Sequence, residues 1–132
     1  MHRFVTEFYQ KPVAVNDIGY VSYHNDRYVL DLLGLSSYET LLRYYEQPDW
    51  LAIIINDYNI DLVIVYEYDF NIPKRWIKLG QLYLGMPLVS AADSRVSFYA
   101  ARESAISEIY AALQCFAPTL PGNAKFIFTY TP

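Results

Sequence analysis

Residues 13–35 read VAVNDIGYVSYHNDRYVLDLLGL, and the fold turns on how the two apolar runs within them are joined. Val13, Ala14 and Val15 end at Asn16-Asp17, and residues 28–33 form a second run that contains Asp31. A glycine follows each aspartate, Gly19 and Gly34. The link between the runs is about ten residues, near the lower limit for a right-handed parallel crossover, and a hairpin is the competing reading. Both runs are uniformly apolar rather than alternating, as strands covered on two faces are, so the parallel reading is preferred. The intervening IGYVSYHND has room for one or two helical turns.

Working outward, Phe4, Val5, Phe8 and Tyr9 recur at helical spacing and predict a short amphipathic helix over 2–10, stopped by Pro12. After the second run, Ser36 or Ser37 caps a helix whose apolar stripe is Leu41, Leu42, Tyr45 and Tyr38. Glu39 stands three residues after Ser36, the spacing of a capping box. Pro48 ends that helix and Asp49 caps another, with Trp50, Ile53, Ile54 and Tyr58 on one face. DLVIVYEY, from residue 61, is the clearest strand and is expected at the centre of the sheet. Residues 69–90 read as a loop, a helical turn over 74–79 and an extended piece. SRVSFYAAR alternates, which suits a strand nearer an edge. Residues 103–116 form a helix with Ile106, Ile109, Tyr110 and Leu113 as its stripe. KFIFTYT closes the chain as an added edge strand or a frayed tail. The expected fold is a single α/β domain over 1–132, a small layered structure with a mostly parallel central sheet of about four to five strands and flanking helices. Residues 118–132 form a C-terminal extension.

Composition narrows the function classes. Of 132 residues, 54 % are hydrophobic and 18 % charged, ample for a core. Fourteen tyrosines are more than such a core can bury, so part of the surface is expected to be apolar, facing a partner or a membrane, or else to carry rings lying flat with wet hydroxyls. The net charge is −4 and the cations are scattered, which speaks against nucleic acid. A lone Cys115 excludes an internal disulfide and a cysteine-rich zinc site, and its apolar neighbours predict a buried, inert thiol. No run reaches the roughly 18 apolar residues of a membrane span, and the N-terminus has no signal-peptide core.

Ligands of open α/β sheets bind beyond the carboxyl ends of strands, where Asn16, Asp17, Asp31, Glu67 and Asp69 fall. Paired carboxylates there hold a metal or act as acid and base, or else accept hydrogen bonds from turn amides. Arg95, in a turn before a strand, is a candidate for a phosphate or a sugar, or a solvated arginine. The glycines fit neither phosphate-binding pattern, and Gly19 is more simply a turn glycine. His24 has no partner at metal-ligand spacing, and no serine lies in a nucleophile elbow. No catalytic residue, metal site or cofactor is therefore assigned. Tyr20, Tyr23, Trp50, Tyr66, Tyr68, Phe70 and Trp76 are the aromatics able to stack on a sugar or sit at a lipid interface, though core packing accounts for Trp50, Tyr66 and Trp76.

Asp17-Ile18-Gly19, Tyr23 and Asp31-Leu32-Leu33-Gly34-Leu35, then DLVIVYEYDF, Trp76, Leu79-Gly80 and VSFYAAR, form a layout over residues 4–102. It resembles the soluble extracytoplasmic C-terminal domain of bacterial polyprenyl-phosphate-sugar-dependent membrane glycosyltransferases, the group similar to protein O-mannosyltransferases and aminoarabinose transferases. The resemblance implies a non-catalytic accessory domain, because that family's catalytic carboxylate and lipid-phosphate site belong to a membrane portion absent here. It implies a location on the extracytoplasmic face of the membrane, with residues 1–11 as the helix emerging from the last span. The membrane portion of a parent or partner transferase and a lipid-linked sugar are the implied partners. Two alternatives stand beside it. One is a self-standing oligomerisation or interaction module, a homo-oligomer built on exposed tyrosines. The other is a small metal-dependent enzyme using Asp17, Asp31 and Glu67.

Overall fold

The computed structural model describes residues 1–85, 87 and 93–132, with every side chain among them except that of Tyr45. Ser90 and the end of the extended piece expected near it lie outside the described residues. Strands β1 (Val13–Val15) and β2 (Val29–Asp31) pair in parallel, Val13 opposite Val29 and Val15 opposite Asp31. The short helix α1 (Gly19–Ser22) makes the crossover, so the hairpin reading falls. Helices α2 (Tyr38–Glu46) and α3 (Trp50–Asp57) then carry the chain to β3 (Leu62–Val65), which pairs in parallel with the other edge of β1.

From there the sheet changes character. Strand β4 (Ile77–Tyr83) is followed by β5 (Arg95–Ala100), which inserts between β3 and β4 and runs antiparallel to both. Strand β6 (Lys125–Phe128) adds antiparallel to the outer edge of β4. The six-stranded order is β2-β1-β3-β5-β4-β6. The expected mostly parallel sheet of four to five strands is therefore corrected to a mixed sheet, with three of its five junctions antiparallel. The reason is physical: no helix among the described residues separates β4 from β5, and without a crossover helix the chain returns antiparallel. Two local expectations fall with it. Residues 77–79 of the expected helical turn belong to β4, and the alternating β5 is an inner strand, not one near an edge.

Alternation in β5 arises because the two faces of the sheet differ. On one face Val13, Val15, Leu62, Ile64, Val96 and Phe98 lie under helix α4 (Ile106–Phe116) and the N-terminal helix Phe4–Tyr9. That N-terminal helix is π-wound, its Gln10 amide donating to the Val5 carbonyl at 3.0 Å. Phe116 of α4 touches both Phe4 and Phe8, with ring centroids 5.2 and 5.4 Å away. Cys115 is exposed rather than buried, because it falls on the side of α4 opposite Ile109, Leu113 and Phe116. On the other face Trp50, Leu51, Ile54 and Ile55 of α3 cover Ala14, Leu30, Val63 and Val65. Farther along that face the antiparallel strands carry polar side chains, Lys78, Gln81 and Ser97.

Helix α2 overturns its pattern. Ser37 is the N-cap, its hydroxyl accepting from the Thr40 amide at 3.3 Å; Glu39 pairs with Arg43 instead of closing a capping box with Ser36. Among the described side chains of α2, Thr40 is the one that is fully buried. Arg43 lies between Glu39 (2.8 Å) and Asp57 of α3 (2.6 Å), and Tyr58 donates to Glu39 at 2.6 Å. These polar contacts turn Tyr38, Leu41 and Leu42 outward.

Candidate functional site

At the carboxyl ends of β1 and β3 the side chain of Asn16 works as a clamp. Its Oδ1 accepts from the Tyr66 amide and its Nδ2 donates to Asp69 Oδ2, both at 3.2 Å. Asn16 is buried, and its bond to Tyr66 satisfies a backbone amide just past the end of β3, where the strand ladder stops. Asp69 is thereby fixed at the head of the segment that follows β3. Burial pushes its carboxyl above the usual carboxylate range, and the Asn16 bond offsets only part of that.

Beyond Asp69 the chain runs through Phe70, Asn71, Ile72, Pro73 and Lys74 and leaves a groove of about 710 Å³ against the start of α3. Tyr44, Trp50, Tyr68 and Phe70 supply its aromatic lining, and Gln47, Asp49, Asp69, Asn71 and Lys74 its polar groups. Trp50 is edge-on to Tyr44, centroids 5.1 Å apart, and inclined to Phe70 at 6.1 Å. Trp50 is itself held in the core, so the aromatic wall is fixed from behind. A second concavity, of about 480 Å³ near Leu82, Phe116 and Leu120, is lined mainly by apolar groups.

The four candidate residues do not converge. Asp31 is buried and serves a turn: Oδ1 accepts from the Leu33 amide at 3.0 Å, and Oδ2 from the Ser36 amide at 2.6 Å and the Ser36 hydroxyl at 3.1 Å. Asp17 is exposed and accepts from the Tyr66 hydroxyl at 3.4 Å. Burial, followed by this carboxylate, pushes Tyr66 up to about 12. Glu67 lies on the polar half of the sheet, ion-paired with Lys78 at 2.6 Å and hydrogen-bonded by the Tyr99 hydroxyl. Burial pushes its carboxyl up, but hydrogen bonds from Lys78, Tyr99 and Ser97 outweigh this and leave it below the usual range. Arg95 is exposed at the start of β5, 3.7 Å from Asp93. Among the described residues no group of three potential ligands is placed to hold a metal ion.

Sequence reasoning named Trp50, Tyr68, Phe70 and Asp69 separately but not as one wall, and it missed the share of Tyr44. Tyr44 lies away from the apolar stripe of α2, so periodicity gave no signal for it. Tyr20 and Tyr23 stack on each other across α1, centroids 5.9 Å apart, and do not line the groove.

Residues 1–99 match the family described as Domain of unknown function (DUF8728), and the chain belongs to it. Neither the curated proteins nor the solved structures contain a match to the chain. No helix among the described residues is long and apolar enough to cross a membrane.

Proposed function

We propose that this chain is a non-catalytic binding module, and that the groove between α3 and residues 68–74 seats a sugar. The observation that carries the reading is the composition of that groove, which Tyr44, Trp50, Tyr68 and Phe70 line together with Asp49, Asp69, Asn71 and Lys74. Sugar rings present C–H faces that stack on aromatic rings and hydroxyls that donate to carboxylates, so both halves of the lining have a counterpart in the ligand. The setting we propose is an accessory domain of a glycosyltransferase-like membrane protein, on the extracytoplasmic face, docked to the membrane portion and presenting the sugar of a lipid-linked donor or an acceptor. That setting rests on the Asp17-Ile18-Gly19 and Asp31–Gly34–Leu35 motif pair.

Tryptophan fluorescence and calorimetric titration with neutral and amino-substituted methyl glycosides test the reading. Saturable binding is expected, weakened about tenfold or more in Tyr68→Ala and in Asp69→Asn, each removing a stacking or charge-assisted contact. Asparagine keeps an acceptor for Asn16, so the wall stays in place in the second variant. Binding that both variants leave unchanged, or no binding of any glycoside, removes the groove from the proposal.

A further inference from the structure

The outward stripe of α2 marks an interface. Tyr38, Leu41 and Leu42 stand at i, i+3 and i+4, one face of the helix, and are 75, 38 and 42 % exposed. Leu33 and Leu35, 41 and 78 % exposed, precede the helix. Gly34 between them turns back on it with φ +74°, so closely that a Cβ there would stand 2.9 Å from that of Leu41. The turn that carries two of these five side chains thus lies against the helix that carries the other three. At their fractional exposures the five leave on the order of 500 Å² of apolar area in water. A standard interface buries about 800 Å² per partner, roughly 60 % of it non-polar. The patch therefore supplies the apolar share of one such interface.

We propose that this surface joins two copies of this chain, α2 packing antiparallel on α2 about a two-fold axis. The charges of α2 favour this occupant. Arg43 and Glu39 are spent on Asp57 and Tyr58 on the protein side, so the outward stripe carries no cation. An amphipathic helix that lies on an anionic membrane carries lysines and arginines on its polar face, and the chain's net charge of −4 opposes such a surface. An antiparallel pairing instead sets Glu46, at the exposed end of α2, beside the positive start of the second helix. A two-fold contact is self-complementary and closes on itself, leaving no further apolar surface to propagate. The proposal is independent of the ligand in the groove.

Sedimentation equilibrium and light scattering on the full chain test it. The unaltered protein is expected as a dimer at micromolar concentration. The double variant Leu41→Glu/Leu42→Glu is expected to keep its circular dichroism and raise Kd at least about 100-fold, since two buried leucines and two uncompensated charges are involved. Should that variant lose its dichroism, Leu35→Glu, at the most exposed position of the patch, must weaken the dimer with the fold intact. A monomer at about 1 mM overturns the proposal, and so does a dimer indifferent to Leu35→Glu and the double change. Monomers that bind phosphatidylcholine–phosphatidylglycerol vesicles through the same leucines also overturn it and assign the surface to lipid.

Discussion

Asp31 and Asn16 show how a carboxylate or amide at a strand end is committed before any ligand arrives. Both Asp31 oxygens are taken by the turn that leads into α2. Replacing Asp31 with Ala leaves the Leu33 and Ser36 amides without their acceptor, and an orphaned donor costs about 1–3 kcal/mol. Urea unfolding of Asp31→Ala is expected to show a loss in that range. Asp31→Asn falls between, because its remaining oxygen can hold the Leu33 amide. A change within about 0.5 kcal/mol in Asp31→Ala would mean that the turn does not depend on the carboxylate. The residue type was legible in the sequence, since an aspartate before a glycine-containing turn accepts amides as readily as it binds ligands. The sequence does not say which of the two jobs is done, because that depends on whether the lone pairs are already filled.

Elements were legible where their burial was uniform. Val13–Val15 and Leu62–Val65 are covered on both faces, and their unbroken apolar runs announced strands. Ile77–Tyr83 was obscured because one face of β4 carries Lys78 and Gln81, and IKLGQLY then lacks the pattern of a buried strand. The same polar face explains the alternation of β5, whose buried Ser97 takes a hydrogen bond from Gln81 at 2.9 Å while Tyr99 bonds Glu67. Helix α2 misled in the opposite sense: Tyr38, Leu41 and Leu42 of its stripe share a face, but they point away from the domain. The polar half of the sheet has a pH signature. Glu67 is held below the usual carboxylate range, so its contribution is complete above its unfolded pKa of about 4.3 and is lost as pH falls through the lower folded value. Glu67→Gln is therefore expected to be less stable than the unaltered chain near pH 7, by under about 1 kcal/mol because the side chain is partly solvated. The gap is expected to close as pH falls from about 5 to about 3. Denaturant melts at stepped pH read this directly, and a gap that stays constant refutes the ionic role.

At the scale of the whole molecule, the family match and the folding unit have different boundaries. The match covers residues 1–99 and ends within β5, before α4 and β6. Yet one face of the sheet, with Val13, Ile64, Val96 and Phe98, is closed by α4 together with the N-terminal helix. Ile106, Ile109, Leu113 and Phe116 are buried there, and Lys11 pairs with Glu108 at 2.6 Å across the same contact. Four such side chains at about 1.5–3 kcal/mol each rival the about 5–15 kcal/mol that holds a domain together. A chain ended after Arg102 is therefore expected to lose its cooperative thermal transition and its near-ultraviolet dichroism. A chain ended after Gly122 keeps α4 and loses only the edge strand β6, whose Phe126 meets Phe98 at 5.1 Å. It is expected to unfold cooperatively at a lower Tm. Calorimetry on the two shortened chains separates the cases. Cooperative unfolding of the shorter one would show that β1–β5 with the N-terminal helix stand without α4, and that the burial along Ile106–Phe116 is dispensable. Its absence, beside a cooperative longer chain, would place the boundary of the folding unit after α4 and not where the family match ends.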